Sequence, residues 1–343
     1  MTQTSTDHGG AVRVENLHTV YRNGDRETSV VRGVSFSVQR GEIVGLVGES
    51  GSGKSTVLKS VLDLLGDKGE ARADVLEIAG RDLRALPPTE LRKLRTVEMA
   101  VVAQDPINAF NPSWTIGSQF RRVLKRHAPD KSKKELDAWS LELLAGVGID
   151  GTGKLKSYPF EFSQGQLQRI MIALASASDK LQVLLADEPT TSLDVTIEAQ
   201  VLQLIRRLRD ERNLAVVLVT HNLSVVAEMC DRVMVMYAGR IVEDAPVREL
   251  FRNPQHPYTK QLLKAIPAFP RDGRRLHTMT GAVPDLTVDP EGCAFAPRCE
   301  ERIDGLCNTV RPPLLPAPGL EPVHAACHLV AEPVHITSGG QHA

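Results

Sequence analysis

The nine residues Gly48-Glu49-Ser50-Gly51-Ser52-Gly53-Lys54-Ser55-Thr56 limit the possible folds of this chain more than any other stretch. They fit the pattern G-x-x-x-x-G-K-[ST], with Gly48, Gly53, Lys54 and Ser55 at its fixed places. The apolar, β-branched run Ile43–Val47 before them suits a buried parallel strand, and residues 56–65 after them read as a helix. In that context glycines let backbone N–H groups turn toward phosphate oxygens, and the helix N-terminus adds a favourable dipole. Lys54 then neutralises charge on the β- and γ-phosphates, and the Ser55 hydroxyl can ligate Mg²⁺.

A second apolar strand, Val183-Leu184-Leu185-Ala186, ends on two acids, Asp187 and Glu188. Open α/β sheets place ligands at the carboxyl ends of their strands. Asp187 is expected to hold the Mg²⁺ shell. Glu188, one residue on, is placed to orient or deprotonate an attacking water. His221 ends a third apolar strand, residues 216–220, where it can reach a γ-phosphate. Together these predict a site that binds and splits ATP.

Composition narrows the partners. With a formal net charge of −1, the 343-residue chain has no basic footprint for nucleic acid, and its 42% apolar content is ample for a buried core. No apolar stretch approaches the length of a membrane span, and the opening MTQTSTDHGG lacks a charged-then-apolar signal. These features predict a chain that stays in the cytoplasm and reaches a membrane through a partner.

Residues 12–42 alternate in short runs such as Val34-Ser35-Phe36-Ser37-Val38, which reads as an antiparallel sheet. Residues 75–80 and 96–102 read as further strands around a helical patch, Leu91–Leu94. Helical patterns dominate from Ile116 to Val147, with Asp130 as the expected N-cap of residues 131–144. Strands then alternate with helices through Tyr237, giving a parallel sheet. From residue 251 the chain gathers most of its prolines and four of its five cysteines, and it reads as a loop-rich appendage. The expected division is an ATPase domain over 1–250, with a helical arm over about 105–180, and an extension over 251–343.

The order of motifs resembles that of the ABC ATPases over about the first three-quarters of the chain. The resemblance implies an α/β fold in which a parallel sheet with the phosphate loop carries an antiparallel β subdomain and a helical arm. Tyr21 stands where the family has an aromatic that stacks on adenine, and Gln104 where a glutamine touches the metal and attacking water and reports nucleotide state to the membrane subunit. Phe162-Ser163-Gln164-Gly165-Gln166 resembles the signature sequence, Ser192-Leu193-Asp194 the loop that crosses the dimer interface, and His221 the switch histidine. The family signature commonly reads L-S-G-G-Q, so Phe162 and Gln164 depart from it. Because Gln164 lacks glycine's freedom at positive φ, the expectation is a signature loop that sits differently or exchanges phosphate more slowly, with any weakness falling on the partner's ATP site.

Asn253-Pro254-Gln255-His256-Pro257-Tyr258-Thr259-Lys260, followed by Leu262-Leu263 and Ala265-Ile266-Pro267, resembles the C-terminal extension of ATPase subunits in oligopeptide and dipeptide importers. That likeness implies two membrane-spanning permease subunits, a second related ABC ATPase, an extracytoplasmic solute-binding protein, and a place on the cytoplasmic face of the membrane; the altered signature favours an unequal pair. The rival expectation, a soluble ABC protein doing mechanical work on nucleic acid or ribosomes, would favour paired cassettes or basic arms. This sequence has neither.

Cys293, Cys299, Cys307 and Cys327 are spaced C-x5-C-x7-C-x19-C. Disulfides are disfavoured in the cytoplasm, and the spacing lacks the close pairs common in zinc sites and matches no ferredoxin pattern. Chemistry alone leaves zinc, an iron–sulfur cluster and free thiols open. The motifs Gly292-Cys293-Ala294-Phe295 and Pro297-Arg298-Cys299 look like those of the importer subfamily, and that resemblance implies a [4Fe–4S] cluster on the four thiolates, with Zn²⁺ as the alternative. Its role would be structural, folding a segment too poor in apolar periodicity to fold by burial alone.

Overall fold

The computed structural model describes residues 10–24, 26–265, 281 and 285–330. Residues 1–9, most of the opening stretch without a signal pattern, and the Ile266-Pro267 pair of the tail lie outside the described residues.

Strands β1 (Val12–Asn23) and β2 (Arg26–Val38) open the chain, and along β2 Val34, Phe36 and Val38 are buried while Ser35 and Ser37 face out. Strand β3 (Ile43–Val47) is buried at every position and leads through the glycine-rich loop to α1 (Lys54–Val61). Short strands β4 (Gly69–Arg72), β5 (Val75–Ile78) and β6 (Arg81–Asp82) follow, then α2 (Pro88–Val97) and β7 (Met99–Val102). Thr96 and Val97 therefore end a helix instead of starting a strand.

The helical arm contains α3 (Pro106–Ala109), α4 (Ile116–His127) and α5 (Lys133–Gly146), and the chain returns through α6 (Gln164–Ala175) to β8 (Val183–Asp187). The cap of α5 is Ser132, not Asp130: the Ser132 hydroxyl accepts the Glu135 N–H while the Glu135 carboxylate accepts the Ser132 N–H. That reciprocal box satisfies two donors that a lone aspartate two residues earlier would leave open. Next come α7 (Val195–Arg212), β9 (Ala215–Val219), α8 (Leu223–Met229), β10 (Arg232–Tyr237) and β11 (Arg240–Pro246). The tail contributes α9 (Val247–Arg252), α10 (Pro257–Lys264) and the two-residue strands β12 (Leu315–Pro316) and β13 (His324–Ala325).

Two sheets result. The first is antiparallel, in the order β2-β1-β5-β6, with β4 also paired to β1. The second runs β12-β13-β11-β10-β3-β9-β8-β7, and from β10 to β7 every neighbour is parallel. The apolar residues of β3, β8 and β9 fill cores on both faces of this sheet: Ile43, Val47, Leu184 and Val216 on one, Val44, Leu46, Leu185 and Val217 on the other.

The tail is built onto the sheet. Strand β13 pairs with β11 through Glu243↔Ala325 and Asp244↔His324, and Tyr258, Leu263, Phe295, Ala317 and Val323 share one apolar cluster with Val47 and Leu184. The Glu243 side chain, fully buried, accepts the N–H groups of Gln255 at 2.7 Å and His256 at 2.8 Å, which pins the start of α10. Burial pushes its carboxyl up from the ordinary range while those donors oppose the shift. His256, 1% exposed, caps α10 by accepting the Tyr258 N–H on Nδ1 at 3.0 Å.

Burial lowers the His256 imidazole to about 3. The unfolded chain, with a histidine near ~6.5, binds the extra proton first, so this group's stabilisation is complete above that pH and is lost as pH falls toward the folded value. It should cost about 1.4 kcal/mol per pH unit below ~6.5. Urea titrations at pH 6.5 and 5.5 should show a smaller loss in His256→Asn, which keeps a cap acceptor but does not titrate, than in the wild type.

Candidate active site

The carboxyl ends of β3, β7, β8 and β9 open onto one cleft of about 570 Å³, lined by Ser50, Gly51, Gly53, Lys54, Ser55, Thr56, Gln104, Glu188, Thr191 and His221, with Val30 from β2 at its edge. The strand order explains the meeting. Strand β3 lies between β10 and β9, and β8 and β7 follow outward, so the segments leaving β3, β8, β9 and β7 emerge side by side.

The loop after β3 hugs the end of β10: a Cβ on Gly48, where φ is 152°, would stand 2.1 Å from the Met236 carbonyl oxygen. Only glycine fits such an approach. The Lys54 ammonium donates to the Gly48 and Glu49 carbonyls, at 2.9 Å each, and the residue is 5% exposed. Burial lowers its pKa, against the pull of the Glu188, Asp187 and Glu49 carboxylates. A desolvated ammonium at a cleft mouth favours an anionic ligand such as phosphate.

Next to Lys54, the Ser55 hydroxyl donates to Asp187 Oδ1 at 2.8 Å. Burial raises the Asp187 carboxyl, the Ser55 hydrogen bond opposes this, and the neighbouring Glu188 charge adds to it. A hydroxyl and a carboxylate held together form a hard-oxygen donor set of the kind Mg²⁺ takes with nucleotide phosphates.

Glu188 is the hub. Its Oε2 accepts from Gln104 Nε2 at 3.0 Å and Thr191 Oγ1 at 2.9 Å, and lies 3.3 Å from His221 Nδ1. Its Oε1 has no hydrogen-bond partner among the described residues. The backbone of Glu188 is left-handed, with φ 45°, a conformation costing on the order of 1 kcal/mol for a residue with a Cβ. It is held by the Glu188 N–H to the Val219 carbonyl at 2.9 Å, which ties it to the end of β9. The His221 side chain is 60% exposed and faces the same carboxylate.

Other expected residues stand apart from the cleft lining. Tyr21, on β1, pairs with Thr28 and Gly69, and its ring lies 3.0 Å from where a Gly69 Cβ would be. Glu49 turns away, with its carboxylate on Arg298 and its N–H on the Tyr258 hydroxyl. Ser52 is 3% exposed, its carbonyl accepting the Gly239 N–H. Thr191 was not anticipated: a threonine three residues after an acid carries no motif of its own, and only the turn after β8 brings its hydroxyl onto Glu188.

Ser163, Gln164, Gly165 and Gln166 form the N-terminus of α6. The Ser163 hydroxyl accepts the Gln166 N–H at 3.3 Å, and Gln166 Oε1 accepts the Ser163 N–H at 3.0 Å. Gln164 is the first helical residue and is not at positive φ, so the distortion expected from replacing glycine there does not occur. The glycine that matters is Gly165, whose added Cβ would sit 2.5 Å from Ile197 Cγ2 on α7. Phe162 is 8% exposed and packs in the core.

The four tail cysteines are free thiols. Burial raises Cys327 to about 11, with Cys293, Cys299 and Cys307 contributing, and burial likewise raises Cys293, aided by Cys307 and Cys299. Cys293 donates its N–H to the Cys307 carbonyl at 2.8 Å. Among the described residues, however, no group of three or more His, Cys, Asp or Glu is placed to hold a metal ion. The metal centre expected at these cysteines thus has no support from a preformed cage. His328 Nε2 lies 2.9 Å from the Val310 carbonyl.

A family model described as ABC transporter matches residues 31–191, and one described as oligopeptide/dipeptide transporter, C-terminal region, matches residues 242–307. A Brucella abortus (strain 2308) protein provisionally named a peptide import ATP-binding protein is 44% identical over 314 residues, which are 88% of this chain and 92% of that protein. The dipeptide transport ATP-binding protein DppD of Escherichia coli (strain K12) is 40% identical over 305 residues, again 88% of this chain and 92% of that one. Among solved structures, the dimeric ATP-binding cassette MJ0796, in a post-hydrolysis state with ADP and Pi, aligns with a TM-score of 0.60 at 28% identity over 69% of this chain and 99% of that chain.

Replacing Gln164 by glycine should bring no gain in ATP hydrolysis and should lower helix stability by about 0.5–1 kcal/mol at most, because the site is helical. Steady-state ATPase rates and thermal melting of Gln164→Gly check both.

Proposed function

This chain belongs to the ATP-binding subunits of the ABC transporter family, in its oligopeptide/dipeptide group, and from that premise we propose that it binds and hydrolyses ATP to power uptake of peptides through membrane permease subunits. The observation that carries the reading is the convergence of Gln104, Thr191 and His221 on one oxygen of Glu188, across the cleft from Lys54 and Ser55.

In this reading the loop residues 50–56 and Lys54 hold the phosphates, and Ser55, Asp187 and Gln104 hold Mg²⁺, which neutralises phosphate charge. Glu188 is the general base. With Oε2 fixed by its neighbours, Oε1 is the oxygen that takes the proton of the attacking water, and His221 reads the γ-phosphate beside it. The signature residues Ser163, Gln164, Gly165 and Gln166, of which Ser163 is exposed, serve the ATP site of a second ABC ATPase, in a heterodimer, so that ATP clamps the two together and hydrolysis releases them. Tyr21 stacks on adenine. Opening and closing pass through the helical arm to two permease subunits fed by an extracytoplasmic binding protein. No described helix is long and apolar enough to cross a membrane, which fits attachment to the cytoplasmic face through those partners. The match of residues 242–307 to a transporter tail favours this over mechanical work on nucleic acid or ribosomes.

A [4Fe–4S] cluster on Cys293, Cys299, Cys307 and Cys327 belongs to the same proposal. Four free thiols in one segment, with Cys293, Cys299 and Cys307 contributing to the raised pKa of Cys327, support it.

Glu188→Gln in the assembled transporter should keep ATP binding and lose hydrolysis by about 10²–10⁴-fold, the usual weight of general-base catalysis. An unchanged phosphate-release rate would remove Glu188 from that role. Protein purified anaerobically should carry iron and labile sulfide in equal amounts. A colourless preparation with zinc and no iron would overturn the cluster.

A further inference from the structure

The tail grips the phosphate loop at one residue. Arg298 donates to both oxygens of Glu49, Nη1 to Oε2 at 2.8 Å and Nη2 to Oε1 at 2.9 Å, with the two side chains 5% and 22% exposed. The Tyr258 hydroxyl, from α10, accepts the Glu49 N–H at 2.9 Å. From the other side Lys54 Nζ donates to the Glu49 carbonyl at 2.9 Å. The carboxylate, N–H and carbonyl of one loop residue are all engaged, two of them by the tail.

The tail groups are themselves held firmly. Arg298 Nη1 lies 3.2 Å from the Tyr237 hydroxyl, and the guanidinium stands 5.8 Å from the Tyr237 ring centroid. Phe295 packs edge-on against Tyr237 and Tyr258, with centroids 5.2 and 5.4 Å apart. Arg298 immediately precedes Cys299 and follows Cys293 by five residues, so it sits inside the cysteine-bearing segment. A buried, two-pronged guanidinium–carboxylate pair fixes direction as well as distance. The residue it fixes immediately precedes Ser50 and Gly51, which line the cleft.

We propose that Arg298 and Tyr258 are positioning residues of the ATP site: by holding Glu49 they preorganise the phosphate loop, so the tail sets nucleotide affinity without touching nucleotide. This rests on the reading of the cleft as the ATP site. Loss of the grip frees the loop to sample other conformations, and the cost appears in binding before it appears in the chemical step, whose groups come from β7, β8 and β9.

The test uses the full-length chain, with ATP·Mg²⁺ dissociation constants by equilibrium dialysis and KM and kcat in the assembled transporter. Arg298→Gln should raise the dissociation constant and KM by about tenfold with kcat within about twofold, and Arg298→Lys, which keeps charge but loses the fork, should fall between it and wild type. Glu49→Gln and Tyr258→Phe should each weaken ATP binding, and Glu49→Gln/Arg298→Gln should be no worse than the worse single change, since both remove one link. If Arg298→Gln does not fold, the near-isosteric Glu49→Gln and Tyr258→Phe carry the test alone. Wild-type affinity in those variants, or effects that multiply in the double variant, would overturn the inference. A wild-type protein that fails to bind ATP would strike the functional reading instead.

Discussion

The ladder of five parallel strands from β10 to β7 is the constraint on which everything else rests. Covered on both faces, its strands are apolar along nearly their whole length, so polar chemistry is driven to the loops beyond their carboxyl ends. Residues separated by more than a hundred positions, Ser55 and Asp187 among them, come within hydrogen-bonding distance there because their strands share one register.

Glu188 shows how that scaffold holds a carboxylate in an unfavourable backbone conformation. Its left-handed φ would relax in a free loop, yet the adjacent β9 takes its N–H and three side chains converge on its carboxylate. A carboxylate fixed through one oxygen keeps the other available, as the proposed role in orienting water requires. Lys54 illustrates the same logic with opposite charge: burial among carbonyls makes phosphate a favourable counter-charge.

Beyond residue 250 the chain serves the same scaffold. It adds strands to the sheet edge, shares the aliphatic and aromatic core, and meets the phosphate loop through Glu49. The buried Glu243 and His256 at its start indicate a fixed junction, since each burial is matched by backbone hydrogen bonds that a swinging linker could not maintain.

From the sequence alone came the phosphate loop, the strands that carry the acids, the helical arm and the kinship of the whole, because glycine patterns, apolar runs and strand-end charges are local consequences of backbone sterics and burial. Local reading failed where competing local options were close in energy, as at Ser132 against Asp130, or where glycine's absence suggested a strain that the helix start at Gln164 does not impose. The positions of Thr191, Tyr258 and Arg298 were decided only by tertiary structure. Their partners lie across a turn or more than two hundred residues away, and a hydrogen bond of that kind leaves no periodicity in the chain for the sequence to display.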